Sequence, residues 1–225
     1  MRFISHLDTA RALRRALNRA EIAVVYSQGF SPRPRVSFGP PLAVGHLSET
    51  EYADIAVAEP IVPEQLADRL NKVLPAGLHI VWAGKVPAGS PSVSAAIAEL
   101  EYRALVPWKE IAVGEKDEQA LQRALERFRA VEELIVERER KGRTQRFDLK
   151  QQVPLLDMDC RPHGVEITMR IGVRKGGFPK PEEVLRAVFS LDGEQMKGAL
   201  ITRTDVGFGS TSESAKGAGR GRYES

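Results

Sequence analysis

The chain has one cysteine, Cys160, in 225 residues. A single thiolate cannot hold an iron–sulfur cluster or a Cys-rich zinc site, and it cannot close an internal disulfide, so those chemistries are excluded within this chain. Long apolar runs are missing too. Nothing approaches the roughly 20 residues of a membrane-spanning helix, and the N-terminus turns polar within a few residues, without the apolar stretch of a signal peptide. These features predict a cytoplasmic protein with no membrane association. Charge of one sign is also in short supply. With 33 Lys+Arg against 30 Asp+Glu the net charge is +3, too little to mark a nucleic-acid binder, so any such argument rests on where the charges sit. No His-x-x-x-His pair and no carboxylate cluster with ligand spacing occurs, so no metal and no cofactor is expected in this chain.

What is present is ordinary globular composition, 42% apolar and 28% charged, with length for one to two domains around a real core. Met1-Arg2-Phe3-Ile4 reads as the end of a strand. Ser5 and Asp8 form a capping-box-like pair, and Leu7, Ala10, Leu13 and Leu17 recur at helical spacing up to Ala20. Ile22 to Tyr26 reads as a strand, Gln28 to Pro34 as a loop punctuated by glycine and proline, Arg35 to Phe38 and Glu51 to Ala58 as strands. Pro63 to Leu74 predicts a helix and Leu78 to Trp82 a strand. This order is βαββαβ, and a second pass finds it again: strand Glu99–Val106, helix Asp117–Arg129, strand Leu134–Arg138, an ambiguous Arg146–Leu156, strand Gly164–Val173, helix Pro181–Phe189, strand Ala199–Thr204. The expected fold is α+β, two ferredoxin-like halves in tandem with the first strand truncated. The halves are 1–86 and 99–209, joined by a Pro/Gly-rich linker at 87–98, and the Gly/Ser-rich tail 210–225 is expected to be disordered.

Charge is distributed unevenly. Residues 1–35 hold seven Arg and two acids, a net +5, whereas 36–100 are net −4. Arg11, Arg15 and Arg19 are four apart and line one helix side. Tyr26, Gln28, Gly29, Phe30, Arg33 and Arg35 put aromatics and guanidinium groups around one loop, the mixture that binds unstacked nucleotides. A solvated Arg-rich face is the plain alternative. His6 is read as a local hydrogen-bonding residue at the helix start; its catalytic reading is that of a general base. His46 and His163 fall in separate apparent loops. Gly207-Phe208-Gly209 reads as a turn, and Arg138 to Arg146 as a solvated hairpin tip, with a secondary phosphate contact as its alternative.

Phe3-Ile4-Ser5-His6-Leu7-Asp8, Arg14-Arg15-Ala16 and Tyr26-Ser27-Gln28-Gly29-Phe30-Ser31-Pro32-Arg33-Pro34, continued by Ser37-Phe38, Pro41-Leu42, Gly45 and Glu51-Tyr52-Ala53-Asp54, carry a resemblance to the radical-SAM-linked protein family. Pro181-Glu182-Glu183-Val184-Leu185 is a weaker second anchor. The resemblance implies a domain that stands beside, or is fused to, a cobalamin-binding radical-SAM protein, and it leaves the reaction open. Two departures stand out: the chain starts inside the strand that precedes Phe3 in that family, and Ser31 stands where Asn is common. The duplicated plan is also similar, in architecture alone, to RNA-processing endoribonucleases of the RAMP type, a likeness that transfers no activity. The expected function is therefore a noncatalytic RNA-binding or substrate-presenting module for a radical-SAM partner. The alternatives are a metal-independent endoribonuclease using His6, and a protein–protein adaptor whose Arg face meets an acidic surface.

Overall fold

The structure is a computed structural model that describes residues 4–112, 117–140 and 142–209. The expected strand end at Met1–Ile4 and the expected disordered tail lie outside these residues, apart from Ile4. The chain is an α+β protein and divides into two compact units. The first holds the residues up to Gly45, Glu51–Ile97 and 208–209; the second holds His46–Thr50 and Ala98–Gly207.

Helix α1 (His6–Arg19) opens the first unit. Ser5 caps it, its Oγ accepting the Asp8 amide at 3.2 Å and donating to Asp8 Oδ2 at 2.6 Å. That bond, with Arg11 beside it, holds the Asp8 carboxyl below its usual range. Ala10, Leu13, Ala16 and Leu17 turn inward as their spacing predicts, but Leu7 is 53% exposed. Three strands follow in chain order: β1 (Val36–Phe38), β2 (Leu47–Ser48), which belongs to the second unit, and β3 (Ala53–Ile55). β1 and β3 pair antiparallel.

The expected strand at Ile22–Tyr26 is present only as bridges, Val24 to Val57 and Tyr26 to Pro34. Its backbone bonds explain why. Val25 donates to Ala56 at 2.8 Å while Ala56 donates to Arg35 at 3.0 Å, so residues 23–25 and 35–38 together form one interrupted strand against 53–58. The chain leaves that strand at Tyr26 and returns at Pro34. Helix α2 (Pro63–Asn71), with proline in its first turn, buries Leu70 against Leu13, Leu17 and Val24. Residues 78–82, expected as a strand, join no ladder; instead Asn71 bonds both backbone groups of Ile80, at 2.9 and 2.7 Å. A short helix, α3 (Val93–Ala96), completes the unit, its first amide donating to Asp54 at 2.7 Å.

The second unit is built on β4 (Ile97–Pro107), followed by α4 (Trp108–Ala112), α5 (Glu118–Ala130), the hairpin β5 (Ile135–Arg140) and β6 (Arg143–Asp148), α6 (Leu149–Gln152), β7 (Leu155–Arg161), β8 (Gly164–Gly172), α7 (Pro181–Phe189), α8 (Gly193–Lys197) and β9 (Leu200–Phe208). The sheet order is β2-β9-β4-β8-β7. Leu134–Arg138, expected in that sheet, belongs to the separate β5–β6 hairpin, and the ambiguous Arg146–Leu156 segment resolves into the end of β6, α6 and the start of β7. The polar outer positions of β5 and β6 (Glu137, Glu139, Arg143 and Thr144, all exposed) keep that hairpin out of the core layer. Gly207 and Phe208 continue β9, so they form no turn. Alternation places Leu100, Tyr102, Ala104 and Val106 of β4 beside Val165, Ile167, Met169 and Ile171 of β8 at 0–3% exposure, under Leu121, Leu125, Val184 and Leu185 of the helices. Each Val, Leu, Ile or Met among them contributes about 1.5–3 kcal/mol on burial.

Candidate nucleic-acid interface

The loop that interrupts the composite strand is closed on itself at its base. Ser27 donates its amide to Arg33 O at 2.8 Å, and its Oγ accepts the Arg33 amide at 3.0 Å. Gly29, at φ 132°, takes the reversal that a side chain would strain. A loop pinned in this way holds its tip away from the body, and Phe30 at the tip is fully exposed, 106% of its reference area. Tyr26, Gln28, Arg33 and Arg35 are exposed with it.

On α1 the Arg side chains differ in what they touch. Arg11 is paired with Asp8 at 3.3 Å, a solvated pair of small energetic value. Arg15 is exposed and has no partner among the described residues. Arg19 donates to the Val73 carbonyl and so ties the end of α1 to the chain after α2. Of the three, Arg19 is therefore the one already in structural use. Arg14, on the neighbouring stripe, was not singled out by the spacing argument. Its guanidinium lies 5.9 Å from the Phe38 ring centroid, and its Nε is buried with no hydrogen-bond partner. The only sequence signal for it is its place in Arg14-Arg15-Ala16.

His6 shares Phe38 with Arg14, meeting the ring edge-on at 5.5 Å. The capping hydrogen bonds at the helix start are made by Ser5, Asp8 and Thr9, so the expected hydrogen-bonding role of His6 is replaced by ring packing. No group of three or more His, Cys, Asp or Glu is arranged to hold a metal ion among the described residues.

In the second unit His46, expected in a loop, is 6% exposed and bonds Glu182 Oε1 at 2.8 Å. Burial raises the Glu182 carboxyl, and the His46 hydrogen bond and charge outweigh that, leaving it below its ordinary value. His46 also meets the Tyr102 ring edge-on at 6.3 Å, and Tyr102 Oη accepts from Arg203 Nη2 at 2.8 Å. The 136 residues between His46 and Glu182 hide this pair from any local pattern. At the hairpin, Arg138 is not a solvated tip residue: its Nε donates to Glu183 Oε1 at 2.6 Å and its guanidinium lies 4.7 Å from the Phe147 centroid. His163 is exposed between β7 and β8.

The structure is thus an α+β protein that exposes Tyr26, Phe30, Arg33 and Arg35 on one loop and Arg11 and Arg15 on one helix. Residues 1–181 match the model of a family described as an uncharacterized protein conserved in bacteria (DUF2344), and the chain belongs to that family. Its description assigns no activity. No curated protein matches the chain. No described helix is long and apolar enough to cross a membrane.

Proposed function

We propose that the chain is a noncatalytic accessory module that holds RNA on the face formed by α1 and the loop 26–34, and that it works in the cytoplasm with a cobalamin-binding radical-SAM protein. The observation that carries the RNA reading is the fully exposed Phe30 on a pinned loop beside Arg33 and Arg35. An aromatic face takes a base by stacking, and guanidinium groups around it take the phosphates. The partnership is supported by the resemblance at Phe3–Asp8 and Tyr26–Pro34. The same reading takes the two units as tandem ferredoxin-like halves. Its support is the strand order β9-β4-β8-β7 with α5 and α7 as crossovers, and the order helix, strand, strand, helix that α1-β1-β3-α2 shares with α5-β7-β8-α7.

The test is binding of the purified chain to a pool of short single-stranded RNAs over a range of salt. Arg11, Arg15, Arg33 and Arg35 engaging four phosphates give a slope of log K against log salt near −3, and Arg15→Glu flattens it by about 0.7 for the lost contact. Salt-insensitive binding, or none to any pool, transfers the face to an acidic protein surface and makes the chain an adaptor. Site-specific cleavage in EDTA that disappears in His6→Ala makes it an endoribonuclease.

A further inference from the structure

The side of α1 that turns toward β1 carries a cation with no acceptor. His6, Ala10 and Arg14 are four apart and share one stripe of the helix. Ala10 is buried, and Phe38 packs on the same stripe, with His6 edge-on to its ring at 5.5 Å and the Arg14 guanidinium 5.9 Å from its centroid. Arg14 is partly buried and makes no hydrogen bond or ion pair with any described residue. Its Nε is closed off from solvent, which leaves the two terminal nitrogens as the part of the charge that a ligand reaches.

The lack of an acid beside Arg14 follows from the alternation of the sheet. Val36 and Phe38 face the core with Ile55 and Val57, so Ser37 and its ladder partner Asp54 point to the other side, where Asp54 takes the Val93 amide at 2.7 Å. On the helix, Asp8 is two residues from His6, faces elsewhere, and is used by Ser5 and Arg11. The His6 ring nitrogens also have no hydrogen-bond partner among the described residues; the ring is held by Phe38 alone.

A guanidinium partly withdrawn from water has already lost some of its hydration, so an anion at its open end gains more there than at an exposed Arg such as Arg15. The donor count selects the anion. The terminal nitrogens of Arg14 take two oxygens as a fork, which uses up a carboxylate, whereas a phosphate has a third oxygen for a His6 ring nitrogen.

We infer that Arg14 and His6, backed by Phe38, form a phosphate-binding site, with Arg14 as the fork and His6 as the third donor. That its phosphate comes from an RNA strand rests on the reading of α1 as part of an RNA-holding face; a free phosphate compound offers the same chemistry.

Heteronuclear NMR of the full chain tests the site. The sheltered Nε–H of Arg14 gives a side-chain signal, assigned by its loss in Arg14→Lys. Sodium phosphate moves this signal along a saturable curve, and sodium chloride at equal ionic strength does not. In the variants the Phe38 ring protons report binding. Arg14→Lys keeps the charge and loses the fork, His6→Phe keeps the edge-on ring and loses the donor, and each weakens phosphate at least about tenfold. The inference is overturned if chloride matches phosphate, if an oligoglutamate peptide moves the signal as readily, or if either variant binds phosphate as the wild type does. A short single-stranded RNA separates the sources. RNA that moves the Arg14 signal and displaces phosphate assigns the site to a backbone phosphate. Phosphate binding with no response to any RNA keeps the site, for a free phosphate compound, and removes the RNA reading of α1. RNA binding that depends on Phe30 while the Arg14 signal ignores both RNA and phosphate keeps the RNA reading and overturns this site.

Discussion

Replacing Phe30 by Ala separates binding from folding more cleanly than any other change in this chain. The side chain is fully exposed, and the loop beneath it is held by the Ser27–Arg33 backbone and hydroxyl bonds, none of which involves the ring. Surface changes of this kind alter stability by no more than about 0.5 kcal/mol. If the ring stacks on a base, its loss removes about 1–3 kcal/mol of binding, a roughly five- to 150-fold rise in Kd. Phe38→Ala is the counterpart. That ring packs on the core cluster and is shared by His6 and Arg14, so its truncation costs about 3 kcal/mol of stability. The assay is fluorescence anisotropy with a labelled single-stranded RNA, run beside urea denaturation of each variant. Phe30→Ala is expected to lower affinity at unchanged midpoint. An unchanged Kd refutes the stacking role, and a large fall in midpoint refutes the description of the loop as self-supporting.

Three further outcomes follow from the second unit. Arg138→Ala leaves the Glu183 carboxylate half-buried without its bidentate partner and strips the cation from Phe147, so urea denaturation should register a loss of about 2–3 kcal/mol. Glu182 has a folded-state pKa below its ordinary value of 4.5, so its contribution with His46 is fully present above that value and is lost as pH falls through the lower folded value. Glu182→Gln should flatten the stability profile below about pH 4.5, and an unchanged profile counts against the pair. The Cys160 thiol is raised above its ordinary value of 9.0, by burial first and then by Glu118 and Asp159. Its alkylation by iodoacetamide at neutral pH, followed by mass spectrometry, should be slower than that of a free thiol and faster in Glu118→Gln.

Much of the local structure was written in the chain. Ser5 and Asp8 with inward residues at three and four spacing mark α1, proline at Pro63 and Pro181 opens α2 and α7, and the alternation of Gly164–Gly172 marks a strand whose inner face is fully buried. These features succeed because capping and periodicity act between residues a few positions apart, where the sequence is its own context. The basic face and the aromatic loop were legible for the same reason, since Arg11 to Arg35 are close in the chain. Pairing is different. Whether Leu78–Trp82 joins a ladder depends on what lies beside it, and this apolar run joins none. The interruption of one strand at Tyr26–Pro34, the departure of Leu134–Arg138 into a separate hairpin, the burial of His46 against Glu182 and the use of Arg19 and Arg138 as internal ties were all decided by contacts between distant segments. A residue's type states which bonds it can make, and only the tertiary structure supplies the partner, because desolvation and geometry decide among groups that are chemically equivalent in the sequence.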